Sequence, residues 1–217
     1  EAEQKARCAA LCGDQAHIHG APVFVAVCAD LHRIATACGM HGAELQHDNL
    51  EIFLQATVDA ALLGQNLLLA AESEGLGGCM IGAARNHPVA LARELKLPEH
   101  CYVVFGMVLG VPADDPVPRG RMPLTGVVHH GTYDRAAAAQ AVGDADQAMA
   151  QWARDVNRRI EDPEARRVRE DKGWSDRMAG LWGAGSRYLA ERGELLARLQ
   201  ELGWLTGPGF PPAGPMG

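Results

Sequence analysis

The chain has 217 residues, of which 47% are hydrophobic and 22% are charged, a composition typical of a soluble globular protein with a sizeable core. Its formal net charge of −7 argues against nucleic acid as a partner, because domains that bind nucleic acid usually carry a basic surface. The sequence shows neither an uncharged apolar stretch of about 18 residues nor the pattern of a signal peptide, so we expect a cytoplasmic protein with no membrane partner.

The first fifty residues predict a helix, a strand and a less regular segment. Residues 2–12 predict a helix that ends near Gly13. Pro22–Cys28 is a continuous apolar run between turn residues, which predicts a strand buried on both faces. Residues 31–48 are rich in histidine and glycine and predict a loop or a short helix.

Leu50–Ser73 is the strongest predicted helix of the chain. Apolar side chains occupy every side of it, which indicates a helix buried either in a core or against another subunit. Its length is about twice that of an average helix. An obligate dimer interface would account for both features.

A glycine-rich turn and two further strands follow this helix. The predicted elements are a short strand at Cys79–Ile81, a helix at Pro88–Leu97 and a second buried strand at Cys101–Gly110. Gly82 and Ala83 follow the short strand, and small residues there leave backbone N–H groups open to a flat ligand, although a tight strand end is the alternative. The alternation of strands and helices predicts a mixed three-layer arrangement.

The C-terminal part of the chain predicts helices and a tail. Residues 135–160 and 175–203 form two predicted helices, separated by a charged linker. In the second, Glu194 and Arg198 are spaced for an i,i+4 ion pair. The apolar face of that helix consists of Leu189, Leu195, Leu196, Leu199 and Leu202. The tail is too rich in proline and glycine to pack, so we expect it to be disordered.

No side chain pattern identifies a nucleophile or a general base. The Gly-x-Ser-x-Gly, Walker and His-Glu-x-x-His motifs are missing. The six cysteines include no Cys-x-x-Cys pair and fit reduced, mostly buried thiols. A zinc site at Cys38, His41 and His47 is an alternative, but its spacing matches no usual ligand pattern, and we expect no metal. A ligand-shaped loop without a nucleophile indicates that a cofactor carries the reaction.

Four sequence blocks occur in a fixed order: Gly13–Ile18 with Val25–Asp30, Asp59–Gly78, Ile81–Asn86 and Leu97–Pro123. Together they resemble the nitroreductase superfamily, in its group of flavin reductase P-like and major oxygen-insensitive nitroreductases. A weaker match at Trp174–Asp176 and Ser186–Arg187 reaches into the C-terminal helices.

The resemblance implies an α+β protein with a nitroreductase-like three-layer α/β/α fold, a central mixed sheet and a C-terminal helical extension. It implies a homodimer that binds FMN at the subunit interface. We expect residues 1–133 to form the FMN-binding core, 134–205 to extend the same domain and 206–217 to form the disordered tail. The family's N-terminal arm of about fifty residues, which carries part of the phosphate site, has no counterpart here, so the core is expected to be N-terminally incomplete.

Particular residues acquire roles from the resemblance. Gln15 matches a glutamine that contacts the flavin, and Gly82 and Ala83 match a Gly-Gly pair whose N–H groups approach flavin N5. Arg119 and Arg121 match a Lys-x-Arg pair that holds the FMN phosphate. Arg85 and Arg187 match positions near the cofactor or the phosphate of the nicotinamide nucleotide. Apart from the resemblance, the charged run from Arg154 to Lys172 offers Arg154, Arg158 or Arg159 as a clamp for the 2′-phosphate of NADPH. Solvated loop or helix charges are the alternative for all of these arginines.

The implied function is that of a flavoprotein oxidoreductase. FMN would accept a hydride from NADPH and then reduce a small-molecule acceptor, namely a nitroaromatic, a quinone or a flavin. Because NADPH and the acceptor would occupy the same site in turn, the kinetics would be ping-pong. Two departures from the family pattern are Ala83 in place of a glycine and Met80 in place of a tyrosine. A non-catalytic or truncated dimer of the same fold that does not retain FMN is the alternative hypothesis.

Overall fold

The structure is a computed structural model, which describes residues 2–162, 164, 168–190 and 192–212, with Arg187 described in its main chain alone. Its contacts divide the chain into two compact units. Unit 1 contains residues 1–113 and the segment from 191 onward, and unit 2 contains residues 114–190. These units do not coincide with the expected domain boundaries at 133 and 205, which stay a prediction.

Unit 1 is built on a three-stranded sheet in the order β1-β3-β2. The strands are β1 (Val23–Asp30), β2 (Gly77–Ile81) and β3 (Cys101–Gly110). Both edge strands pair antiparallel with β3, so the expected mixed sheet is wrong for the described strands. Helices connect β1 to β2, and these two strands run in the same direction. They do not pair with each other, because β3 lies between them and pairs antiparallel with both.

The sheet of unit 1 is covered on both faces, which confirms the α+β class and the three layers within this unit. One face packs against α1 (Ala2–Leu11), α2 (Ala16–Gly20) and α5 (Pro88–Glu94), and this first cluster centres on Ile18, Leu91 and Val103. The other face packs against α4 (Leu50–Ser73) and the C-terminal segment in a second cluster. The predicted strand at Cys101–Gly110 and helix at Leu50–Ser73 have the observed bounds, whereas β1 is half exposed at Val23.

Helix α4 has local signals at both ends and a close approach in its middle. Asn49 caps its N-terminus by accepting the Ile52 N–H at 3.0 Å, and Gly75 adopts a positive φ of 78° just after its C-terminus. A Cβ at Gly64 would overlap the Phe105 ring, so only glycine lets α4 lie this close to β3. Part of this helix is exposed and carries six large apolar side chains: Leu50, Leu54, Val58, Leu62, Leu63 and Leu69. Polar residues such as Gln55 and Asp59 are exposed beside them.

By length and composition, α4 could also cross a membrane. An 18-residue window of Leu50–Ser73 has a mean hydropathy of 1.4, and 11% of that window is buried within the chain. The helix nevertheless carries Asp59 near its middle, and a carboxylate is costly at the centre of a bilayer.

The remaining helices are shorter than the sequence predicts. Residues 31–48 contain α3 (His32–Gly39), and α6 (Arg135–Arg158) occupies the first predicted C-terminal helix. The second is divided into α7 (Trp174–Trp182), α8 (Arg187–Ala190) and α9 (Leu195–Glu201). Glycines at 183 and 185 separate α7 from α8. The predicted Arg198–Glu194 ion pair forms at 2.8 Å.

The C-terminal segment of unit 1 packs on the second cluster. Trp204 is fully buried there, and Phe210 adds partial burial from within the tail that was expected to be disordered. The prediction of a disordered tail is therefore wrong for residues 206–212, because the Phe210 side chain packs against the second cluster. Residues 213–217 lie outside the described part of the chain.

A histidine contact in unit 1 predicts a loss of stability at mildly acidic pH. The His47 and His100 rings lie 3.8 Å apart between centroids, and buried His47 Nδ1 and His100 Nε2 have no hydrogen bond partner within the described residues. Burial, followed by the neighbouring His47, lowers the pKa of His100, while Glu99 opposes both effects. Because the unfolded chain then binds a proton more readily than the folded chain, the free energy of unfolding should fall as pH drops below 6.5.

Thermal unfolding at about pH 7.5 and about pH 5.5 measures this effect. His100→Asn removes the titrating group and tolerates the positive φ of 57° at this position, so it should reduce the difference between the two midpoints. His41→Asn, at an exposed histidine of the same unit, is the matched control and should leave the difference unchanged. The same pH dependence in His100→Asn and in the unmodified chain would contradict the prediction.

Candidate functional site

The loop that presents Gln15 is held by a left-handed turn between α1 and α2. Gly13 has φ 83° and Asp14 has φ 50°, a region in which glycine and aspartate are the common residues. The Asp14 N–H donates to Ala9 O at 2.9 Å, and the Asp14 carboxylate lies 2.7 Å from His19 Nε2. The Gln15 side chain turns back and donates from Nε2 to Cys12 O at 3.1 Å, which leaves its amide oxygen available as an acceptor.

The small residues after β2 form a 3-10 turn, Gly82–Arg85, and not a continued strand. In a tight turn of this kind, the first N–H groups have no acceptor within the turn, so those of Gly82 and Ala83 remain available. A Cβ on Gly13 would lie 3.5 Å from Ala83 Cβ and 3.7 Å from Gln15 Nε2. The structure therefore brings Gln15 and the Gly82–Ala83 turn to one place in unit 1.

The methyl group of Ala83 lies beside Gly13, where an added Cβ would come within 3.5 Å of it. Ala83 is half-buried and packs against the first cluster. At Gly82, an added Cβ would lie in ordinary van der Waals contact with Arg85 Nη2, at 3.5 Å. The departure from Gly-Gly to Gly-Ala therefore adds a methyl group on the side of Gly13.

Two arginines flank Gly82. The register of β1 and β3 shifts between Val27 and Cys28, which leaves Val104 without a partner on β1, and Arg85 Nη1 donates to the Val104 carbonyl at 2.6 Å. Arg192, which precedes α9, donates from Nη2 to the Gly82 carbonyl at 3.4 Å. Arg192 was not identified from the sequence, because no motif spans the 110 residues that separate it from Gly82.

In unit 2, the loop that carries Arg119 and Arg121 lies closely against α6. A Cβ on Gly120 would come within 2.9 Å of Ala148 Cβ, and Trp152 Nε1 donates to Val117 O at 3.1 Å. The Arg119 guanidinium lies 4.4 Å from the centroid of the Trp152 ring, a cation–π contact. Gly120 thus fixes the main chain between the two arginines, and Trp152 orients one of them.

Arg119, Arg121 and Arg177 concentrate positive charge in unit 2. Partial burial lowers the pKa of Arg119 below its ordinary value, and Arg177 and Arg121 lower it further through their charges. Within the described residues, no carboxylate forms an ion pair with any of the three. Helix α7 carries Arg177, and Asp146 of α6 holds the start of α7 by accepting the Ser175 N–H and hydroxyl at 2.7 Å each.

The arginines assigned to NADPH lie on α6. Arg154 donates to Gln151 and Arg158 to Asp155, each at 2.8 Å, and both line a cavity of about 230 Å³ with Asn157 and Glu170. Asn157 is 5% exposed and donates to Val168 O and Glu170 Oε1, while its own Oδ1 has no partner within the described residues. Arg187 begins α8, and its side chain lies outside the described part of the structure.

These two groups of residues have the chemistry that FMN requires. Unit 1 offers the backbone N–H groups of the Gly82–Ala83 turn and the amide of Gln15. Unit 2 offers a cluster of guanidinium groups that no described carboxylate pairs with, which suits a phosphate dianion. Where the chain is described, no group of three or more potential metal ligands comes together, and His47 of the alternative zinc site contacts His100.

A sequence model of the nitroreductase family matches residues 1–111 of the chain. Among characterised relatives, the NADPH-flavin oxidoreductase of Vibrio harveyi is 39% identical over 133 residues, 61% of this chain and 54% of the relative. The oxygen-insensitive NADPH nitroreductase of Salmonella typhimurium is 42% identical over 123 residues, 57% of this chain and 50% of the relative. The chain thus spans about half the length of the curated relatives that it matches.

Solved structures extend the similarity beyond the matched sequence. The structure of B. megaterium NfrA2 has a TM-score of 0.81 and 30% identity, over 94% of this chain and 77% of that one. NADPH:FMN oxidoreductase from Vibrio harveyi, solved with NAD⁺, has a TM-score of 0.75 and 30% identity, over 95% of this chain and 78% of that one.

Proposed function

Because the chain belongs to the nitroreductase family, we propose that it is an FMN-dependent oxidoreductase that uses NADPH. The observation that carries the proposal is the meeting of Gln15 with the Gly82–Ala83 turn, two sequence-distant segments that expose amide groups at one place in unit 1. When bound, FMN would accept a hydride from NADPH and pass two electrons to a nitroaromatic, a quinone or a flavin. The relatives named as FMN reductases and nitroreductases support this chemistry.

The chain's own residues would bind and orient the cofactor. The Gly82 and Ala83 N–H groups would donate to the ring edge that becomes negative on reduction, and Gln15 would donate to or accept from the ring or its ribityl chain. Arg119 and Arg121 would hold the phosphate, with Trp152 orienting Arg119. Arg85 would fix the turn through Val104, and its charge would add to the positive potential near the ring.

The cavity on α6 is proposed to receive the part of NADPH that carries the 2′-phosphate, the group that NADH lacks. Arg154 and Arg158 supply the positive charge, and the unpartnered Asn157 Oδ1 supplies a buried acceptor. Both guanidinium groups are now bonded to side chains of their own helix, from which they can turn to a phosphate. Arg187 is assigned to the same substrate through the family resemblance.

We propose a cytoplasmic homodimer in which the outer face of α4 meets its counterpart in a second copy. Four exposed apolar residues of this face, Leu54, Val58, Leu62 and Leu69, follow helical spacing along one side. Contiguous apolar surface of this kind marks a contact with another protein or a membrane. Asp59 and the similarity to nitroreductases favour a second copy over lipid.

Purification of the chain with and without added FMN tests the proposed function. We expect a yellow protein, or one that FMN makes yellow, which oxidises NADPH in the presence of a quinone or nitroaromatic. Arg154→Gln with Arg158→Gln should raise the KM for NADPH about tenfold or more and leave the KM for NADH nearly unchanged, since a charged hydrogen bond contributes about 1.5–3 kcal/mol. A colourless protein that FMN cannot reconstitute would overturn the proposal in favour of a non-catalytic relative.

A further inference from the structure

Arg192 contacts a peptide group whose other end belongs to the proposed flavin site. Its Nη2 donates to Gly82 O at 3.4 Å. The Gly82 carbonyl and the Ala83 N–H are the two polar ends of one planar, resonance-stabilised peptide group. A cationic donor on the carbonyl oxygen draws electron density toward that oxygen and makes the N–H a stronger donor.

We propose that Arg192 is a positioning residue that strengthens the Ala83 N–H as a hydrogen bond donor to reduced FMN by binding the carbonyl at the other end of the same peptide group. The proposal rests on the proposed function, because it is the FMN ring that receives the donor. It assigns to the C-terminal segment of unit 1 a role in setting the cofactor's reduction potential, since a stronger donor stabilises the negative charge of the reduced ring.

The structure separates this role from that of the other nearby arginine. Arg85 directs Nη1 to Val104 O at 2.6 Å and thereby anchors the end of the 3-10 turn to β3. Arg192 reaches the start of the same turn. The segment that carries Arg192 continues into α9, whose Leu199 is buried in the second cluster, so packing holds Arg192 near Gly82.

Two measurements on Arg192→Gln test the proposal, one with the cofactor and one without it. In the cofactor-free protein, the Ala83 amide proton resonance should move upfield, because the amide loses a polarising contact. In the FMN-bound protein, the affinity for reduced FMN should fall about tenfold relative to the affinity for oxidised FMN. This change lowers the midpoint potential of the bound FMN by about 30 mV for a two-electron couple.

Arg192→Lys and Arg198→Gln complete the test. Lysine keeps a cationic donor and should restore part of both effects. Arg198 lies on the same segment, but it is ion-paired with Glu194 at 2.8 Å, so Arg198→Gln changes the same charge and should move neither signal. An Ala83 resonance and a midpoint potential that stay at their original values in Arg192→Gln would overturn the assignment of Arg192 alone. A protein that binds no FMN would overturn the proposed function and, with it, the effect on the cofactor.

Discussion

Arg119→Gln is expected to weaken FMN binding about tenfold to a hundredfold, because a hydrogen bond to a charged group contributes about 1.5–3 kcal/mol. Arg119 is the guanidinium that Trp152 orients, at 4.4 Å from the ring centroid, and it shares its surroundings with Arg121 and Arg177. Removing one of three clustered positive charges should therefore reduce the attraction for a dianion. Titration of the cofactor-free protein with FMN, followed by quenching of flavin fluorescence, measures the change.

Riboflavin separates a phosphate contact from general damage to the site. Because riboflavin lacks the phosphate, its affinity should be the same in Arg119→Gln and in the unmodified chain. Arg169→Gln is the matched control in unit 2, since Arg169 is already bonded to Asp171 at 2.6 Å. Arg119→Lys keeps the charge but loses the planar guanidinium that stacks on Trp152, so FMN affinity should recover only in part. Equal losses of FMN and riboflavin affinity would show that Arg119 does not bind the phosphate.

The elements with strong local signals could be predicted from the sequence. The bounds of β3 follow from a continuous apolar run. Those of α4 follow from an apolar-rich segment with clear ends, Asn49 before the helix and Gly75 after it. The pairing of the strands could not be predicted, because the order β1-β3-β2 depends on contacts between distant segments. The division of the helix predicted over 175–203 does have a local signal, since glycines at 183 and 185 lie between α7 and α8.

The residues of the proposed site divide in the same way. Gln15, Gly82 and the Arg119/Arg121 pair lie in blocks with recognisable spacing, and the structure shows how Gly13 and Gly120 shape the backbone around them. Arg177 and Arg192 lie on segments with little sequence pattern, and tertiary packing places them. Hydrogen bonds from Ser175 to Asp146 fix the start of α7 and so place Arg177 near Arg119. The burial of α9 in the second cluster places Arg192 near Gly82. A tertiary contact of this kind leaves no local pattern to identify.

Leu62→Asp is expected to convert the proposed homodimer to monomers. Leu62 is 59% exposed in the single chain, in the middle of the apolar face of α4. Burying a leucine contributes about 1.5–3 kcal/mol, and a twofold interface contains the residue twice. The loss of two such contacts should raise the dimer dissociation constant by about two to four orders of magnitude, before the cost of two buried carboxylates is added. Sedimentation velocity over a range of protein concentrations measures the shift.

Because Leu62 is exposed in the isolated chain, its replacement should leave the fold of the monomer intact, which near-UV circular dichroism checks. Leu189→Asp makes the same change at an exposed leucine of α8 and should leave the dimer unchanged. If FMN binds between subunits, Leu62→Asp should also lose FMN affinity at concentrations where it is monomeric. A chain that sediments as a monomer without any substitution would contradict the interface, and binding of that monomer to lipid vesicles, abolished by Leu62→Asp, would assign the apolar face of α4 to a membrane surface instead.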